Sequence, residues 1–428
     1  MADSPQTPPA SVSRRRVLSW AGGAGAAGAA LGALGDHLAH GSTTPTRQSS
    51  VGEPRVGPRL EPAASRVRSA DAPQGLLDRV PAFGQVLTLD LAPGVRRSAT
   101  ASRRATVDLL RRLGDLASRA AAGTDLGPVA TASLGLLPAN LQITPGIGHT
   151  LLEACGLASA APAAFGELPA FAGDRLDPRQ VGGDLTVQIG AEDPIALAGA
   201  VQAVRAAAAG PWTSRWSWRG FRATAAASVS PDGTGRNLMG HLDGTDNPAL
   251  GSPLWRSTVL VTDASSWMHA GSYLVARRIR IDLDGWFGNS VADRDAVIGR
   301  HTSNGAAFGS DLEHDPVDLD LRSSSGGLLI SPHAHIRLAN ARNTAGARIY
   351  RRSWNFDDGL DPDGARDSGL VFLAWQADVE RGFVPIQRSL TSGHDALNQF
   401  TTHVGSAVFA APARSAVESY AGQRLLEG

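Results

Sequence analysis

Stretches of strict apolar alternation take turns with stretches of helical spacing along most of residues 75–420, and no other property of this chain restricts its fold as much. Gln85–Leu91 alternates as a strand. Thr100–Ala122 carries Val107, Leu109, Leu110, Leu113 and Leu116 at helical spacing. Leu141–Thr144 reads as a short strand, Thr150–Leu157 as a helix and Leu185–Ile189 as a further strand. An Ala-rich helix over Ala196–Ala209 and a Trp- and Arg-rich strand over Trp212–Ala223 complete a first round. A second round begins with a long strand at Ser272–Leu283 and a short helix at Ala292–Gly299. Strands are expected at Ile336–Ala339, Ile349–Phe356 and Leu370–Trp375, followed by a helix over Asp378–Leu390.

Strands that alternate with helices but also join through hairpin-like turns predict α+β architecture. The expected fold is two ferredoxin-like (βαββαβ) domains with antiparallel sheets, residues 75–232 and 233–428, divided near Ser230–Gly233. The repeat is one of pattern, without visible identity between the halves.

The first 40 residues follow a different logic. Ser13-Arg14-Arg15-Arg16-Val17-Leu18 precedes an apolar run from Trp20 to Leu34, the order of parts in a twin-arginine export signal. That run is shorter than the ~20 residues a spanning helix needs, so stable membrane insertion is not expected. Residues 41–74, rich in Ser, Thr, Pro and Arg without apolar period, read as a disordered linker. Export in the folded state suits a protein that must load a cofactor first, with the cell envelope or the exterior as its destination.

Composition removes several function classes. All 40 basic residues are Arg, balanced by 40 acidic ones, with no basic stripe of the kind nucleic acid requires. Cys155 is the single cysteine, which excludes an internal disulfide and a multi-cysteine metal site.

Three segments of the second half carry the chemistry. Met239–Pro248 (MGHLDGTDNP) holds turn dipeptides around Asp243, and taken alone it reads as a capped tight turn. Ser331–Arg342 (SPHAHIRLANAR) has His333 and His335 two apart, on one face of a strand, compatible with chelation or with two surface imidazoles. Arg348–Phe356 (RIYRRSWNF) sets paired arginines in an aromatic strand, where a salt bridge is the plain reading. Together they supply an imidazole, a carboxylate and a guanidinium. Peroxide chemistry on haem iron needs these groups: an axial ligand, a proton acceptor and a fixed positive charge.

At this point the chain resembles the dye-decolorizing peroxidases. Gly240-His241-Leu242-Asp243-Gly244 matches their GxxDG motif, and His335–Arg342 is similar to their proximal-histidine segment. Arg351 lies in a segment similar to their distal-arginine strand, and Gly369–Phe409 has a family-like run. The resemblance covers most of residues 75–420 and suits the exported branch of the family, which is linked to iron uptake. It implies one haem b per chain in the C-terminal half, held by His335 as iron ligand, with Asp243 as acid/base and Arg351 as its partner. Arg352 is the rival to Arg351; on a strand only one of the two faces the haem. His333 is the rival to His335, which is preferred for the Ile-Arg that follows it. Gly244, Thr245 and Asp246 would line the haem edge. Asn340, Ala341 and Arg342, with Arg300 as a weaker candidate, would sit at the propionates. Ala341 stands where a proline is common, and Ser353 where some relatives carry Gly or Asn. His241 could tune Asp243.

The implied activity is oxidation of small or bulky organic donors, such as dyes and phenolics, by hydrogen peroxide through a ferryl intermediate. The alternative is a haem-handling, deferrochelatase-like protein that releases iron. Nine Trp against three Tyr favour Trp as any surface electron relay. An aspartate base, with an ordinary pKa near ~4, implies best turnover in acid. Self-association is compatible with the sequence.

Overall fold

Among the residues that the computed structural model describes, nine strands form one sheet that closes on itself. The structure describes residues 72–162, 165–224, 234–415 and 417–428. The expected export signal therefore lies outside the described residues, as do residues 41–71 of the expected linker and the expected division at Ser230–Gly233.

The first half supplies β1 (Phe83–Leu91), β2 (Gln142–Ile147), β3 (Leu185–Ala191) and β4 (Trp212–Phe221) in the spatial order β2-β3-β1-β4. The second half supplies β5 (Ser272–Ile281), β6 (Tyr350–Arg351), β7 (Trp354–Leu360), β8 (Arg366–Gln376) and β9 (Thr401–Ala411). They run β9-β5-β8-β7, with β6 beside the far end of β8. Every pairing between these strands is antiparallel, and each half shows the ferredoxin-like order of fourth, first, third and second strand. Ile147↔Ala410 and Phe221↔Asn355 join the halves at both seams.

Helices cover the outside of the first half. In α1 (Ala99–Ala121), Leu109, Leu110, Leu113 and Leu116 are buried on one face, and the Ser98 side chain caps the start. A short α2 (His149–Ala154) follows β2. In α3 (Pro194–Ala208), Asp193 accepts from the amides of Ile195 and Ala196, and Pro194 occupies the first turn, where its missing N–H costs nothing. Inside the ring, Trp216 and Trp218 of β4 pack with Leu274, Trp354, Val371, Trp375 and Phe409 from the other half. Gly84 and Gly220 make this possible. A Cβ at either would lie within 2.4 Å of Trp354.

The sequence reading needs four corrections here. Residues 72–74 do not behave as linker: Ala72 is fully buried, and Arg352 holds the adjoining turn through the carbonyls of Gly75, Leu76 and Asp78. Ile336–Ala339 is not a strand but part of a helix, His335–Ala339. Five residues cannot separate the two periods, and Arg337 settles the matter by donating to the carbonyls of Leu319, Ile330 and Ser331. Ile349–Phe356 breaks into β6 and β7 at Arg352-Ser353, where the Ser353 hydroxyl takes the Leu373 amide. The helix expected from Asp378 starts at Phe383, after a turn.

Candidate active site

The helix α5 (His335–Ala339) follows α4 (Val291–Ile298) in the second half and packs against α6 (Phe383–Ser392). His335 Nδ1 lies 2.7 Å from Asp395 Oδ2. The Asp395 side chain is 2% exposed. Its other oxygen accepts the Leu397 amide at 3.0 Å, so the carboxylate is held from two sides. A buried carboxylate accepts, so Nδ1 carries the proton and Nε2 keeps its lone pair. His333 has no such role: its Nδ1 meets the Gly393 carbonyl at 2.9 Å, it is exposed, and it does not line the cavity.

Asp243 and Arg351 line the same cavity as His335. Arg351 Nη1 stands 3.2 Å from Asp243 Oδ1. Asp243 sits in a loop that Gly240 and Gly244 turn at φ +91° and +122°, values that disfavour any side chain. The Asp243 amide donates to the Gly235 carbonyl. Asn247 then fastens the loop to β6. Its Nδ2 donates to the Arg351 carbonyl and its Oδ1 accepts the Arg351 amide, both at 2.9 Å. Arg352 points the other way and is 1% exposed, as strand alternation requires.

Ile279, Ile281, Leu370 and Phe372 from the sheet and Phe383 and Ile386 from α6 form apolar walls. Thr245, Asp246, Arg300 and Asn340 also line the cavity. Ala341 and Arg342 do not. The Asn340 side chain caps the turn that follows it and carries both residues outward, where Arg342 pairs with exposed Asp320 at 2.7 Å. Arg348 takes up a cavity position instead, half-exposed and 3.8 Å from Asp246. Gly244 contributes its backbone turn and is not part of the lining.

Burial shapes the electrostatics. It holds the His241 imidazole down at about 4, against the pull of Asp295. It holds His403, on the cavity wall, at about 3, with Arg277 adding to the effect. Both are neutral in any ordinary medium. Burial also lowers Arg300, which donates to the carbonyls of Gly305 and Glu313. Arg222, at the end of β4, is lowered by burial and raised chiefly by Asp243, which therefore feels a second guanidinium from the first half.

Asp395, Asn247, Arg348 and Arg222 were not singled out from sequence. Asp395 is 60 positions from His335, with no motif around it. Asn247, inside the first segment, could have been found by asking what fastens a glycine-hinged loop. The donor set suits a haem: one imidazole nitrogen between apolar walls, an acid–guanidinium pair, and Arg300, Arg348 and Asn340 for the carboxylates of the ring.

The model of the Dyp-type peroxidase N-terminal part matches residues 95–222, and that of the C-terminal part residues 234–416. The chain belongs to the Dyp-type peroxidase family. It is 47% identical over 382 residues to a dye-decolorizing peroxidase of Thermobifida fusca, covering 88% of each chain. It superposes on a DyP-type peroxidase of Streptomyces coelicolor with a TM-score of 0.78 at 38% identity, over 84% of this chain and 96% of the other. A deferrochelatase of Escherichia coli is 31% identical over 311 residues, 70% of this chain and 73% of the relative. This Dyp-type chain is a peroxidase, and its expected membership of the family is borne out.

Proposed function

We propose that the chain binds one haem b through His335 Nε2 and uses hydrogen peroxide to oxidise organic donors, phenolics and dyes among them. The observation that carries this is the 2.7 Å contact between His335 Nδ1 and buried Asp395, in a cavity shared with Asp243 and Arg351. Bound haem supplies the redox-active iron. The chain supplies the rest.

Asp395 fixes the imidazole tautomer and makes Nε2 a stronger donor. Asp243 is placed to take a proton from peroxide and return it to the departing oxygen. Arg351 places a permanent positive charge where that oxygen becomes negative. The apolar walls keep water away and strengthen both effects. Arg348 at the rim and Arg300 deeper in offer counter-charges to the ring carboxylates.

We also place the enzyme outside the cytoplasm, on the strength of Ser13-Arg14-Arg15-Arg16 and the apolar run behind it. Replacing the three arginines with lysine should leave activity inside the host cell.

The decisive experiment mixes haem-loaded protein with peroxide and a phenolic donor. Saturable donor oxidation, lost in Asp243→Asn and His335→Ala, is the expected result. The deferrochelatase relatives give the rival outcome: iron released from haem, with the donor left unoxidised, would overturn the peroxidase reading.

A further inference from the structure

His241 sits two residues ahead of Asp243, is 3% exposed, and lines the cavity. Its Nε2 lies 3.1 Å from the Thr302 hydroxyl. That hydroxyl makes a short hydrogen bond to Asp295 Oδ1, which also accepts the Thr302 amide at 2.9 Å. Asp295 is itself buried, and the His301 ring stands 3.7 Å from its second oxygen.

The direction of each bond follows from what each group can do. An ionised carboxylate only accepts, so the one hydroxyl proton of Thr302 is committed to Asp295. The Thr302 oxygen must then accept from His241, and the proton of the neutral imidazole resides on Nε2. The result is a one-way thread, His241 N–H to Thr302 O–H to Asp295, running from the signature loop to α4.

Other contacts pin the backbone around that thread. Arg236 donates to the carbonyls of Gly240, Thr302 and Ser303, and Trp286 Nε1 donates to the Met239 carbonyl. Trp286 also meets the His241 ring edge-on, with centroids 5.8 Å apart. The His241 imidazole is the loop side chain that meets the Thr302 hydroxyl and stands 3.8 Å from Asp295 Oδ1, beside the backbone tie that Arg236 makes between Gly240 and Thr302. Two residues further on, the 3.2 Å spacing between Asp243 and Arg351 depends on where that loop lies.

We propose that His241 is a positioning residue for Asp243, braced through Thr302 against Asp295. This rests on the reading of Asp243 as the proton acceptor. A displacement of about 1 Å in such a group costs on the order of 10²-fold in rate, so the brace should be visible in kinetics.

The test compares His241→Phe, His241→Gln, Thr302→Val and Asp243→Asn in the haem-loaded protein. Phe fills the same space against Trp286 without a donor. Gln puts an N–H near the position of Nε2. The expected result is a fall of about 10- to 100-fold in kcat/KM for peroxide in His241→Phe and Thr302→Val, with KM for the organic donor unchanged. The double variant should be no worse than the poorer single one, because one thread is cut twice. His241→Gln should stay within about 3-fold of native. Binding of hydrogen cyanide, read from the Soret band, requires loss of a proton and should slow in parallel without turnover.

Native peroxide and cyanide kinetics in Thr302→Val would overturn the proposal, even if His241→Phe failed to take up haem. Native kinetics in Asp243→Asn would instead remove the acid assignment on which the brace depends, a separate failure that the same series reveals.

Discussion

Replacing Asp395 with asparagine should weaken haem binding by about 10- to 150-fold while leaving the fold intact. The side-chain oxygen of an asparagine can still accept the Leu397 amide, now made at 3.0 Å, so the turn over Ala396–Gln399 keeps its cap. The amide nitrogen then faces His335 Nδ1, where the 2.7 Å bond to Oδ2 now stands. A donor there forces Nδ1 to accept, which moves the imidazole proton to Nε2, the nitrogen meant for iron. Turning the amide over only transfers the conflict to the Leu397 N–H. The lost interaction is a charge-assisted hydrogen bond to a buried group, about 1.5–3 kcal/mol, and each 1.4 kcal/mol is roughly tenfold in affinity. Absorbance titration of haem-free protein with haem measures the affinity, and thermal unfolding of the haem-free variant checks the fold. Native affinity in Asp395→Asn, with an unchanged Soret band, would refute the claim that this carboxylate sets the tautomer.

Three further outcomes are expected. Asp243→Asn and Arg351→Leu should each lower the bimolecular rate with peroxide by about 10²- to 10³-fold, as seen for lost general bases and lost charge stabilisers; stopped-flow measurement giving less than tenfold for both would contradict their roles. Stability should fall as pH drops below about 6.5, because the unfolded chain then takes up protons that folded His241, held at about 4, and His403, held at about 3, refuse. Above that pH neither form is charged and these two groups contribute nothing. The effect is on the order of 3 kcal/mol for His241 by about pH 4, and urea midpoints between pH 4 and 7 should show a shallower slope in His403→Phe than in the native chain. Arg352→Met should cost about 3–5 kcal/mol, since it strips the carbonyls of Gly75, Leu76 and Asp78 and the Gln142 side chain of their donor and a buried acceptor left unsatisfied costs about 1–3 kcal/mol; a loss under about 1 kcal/mol in chemical denaturation would show that the segment holds without it.

The strands and the acid–imidazole–guanidinium set were legible because both rest on local order. Alternation over Gln85–Leu91 and Ser272–Leu283 places β1 and β5, and strand parity sets Arg351 and Arg352 on opposite faces. What could not be read depends on contacts between distant segments. The ring closes through Ile147↔Ala410 and Phe221↔Asn355, pairs with no signature in either strand. Asp395 has no motif because its meaning comes from His335 above it. Arg342 stands outside the cavity lining because its neighbour Asn340 turns the chain after one residue, and a motif carries no information on where a turn aims its side chains. The helix at His335 was missed for want of length.

Among the described residues, those that line the cavity all lie between Asn237 and His403, although half of the sheet ring belongs to the earlier part of the chain. The first half thus behaves as a mould: it shuts both seams and lends a distant positive charge, but leaves the reacting surface to its partner. Its loops reach the second half as well: Arg277 pairs with Asp174 at 2.5 Å, and the amides of Arg175, Asp177 and Gly182 donate to the carbonyls of His403, Val404 and Ser406 on β9. A separately expressed second half would carry all the chemical groups yet present two raw strand edges, and should stick to itself before it could work.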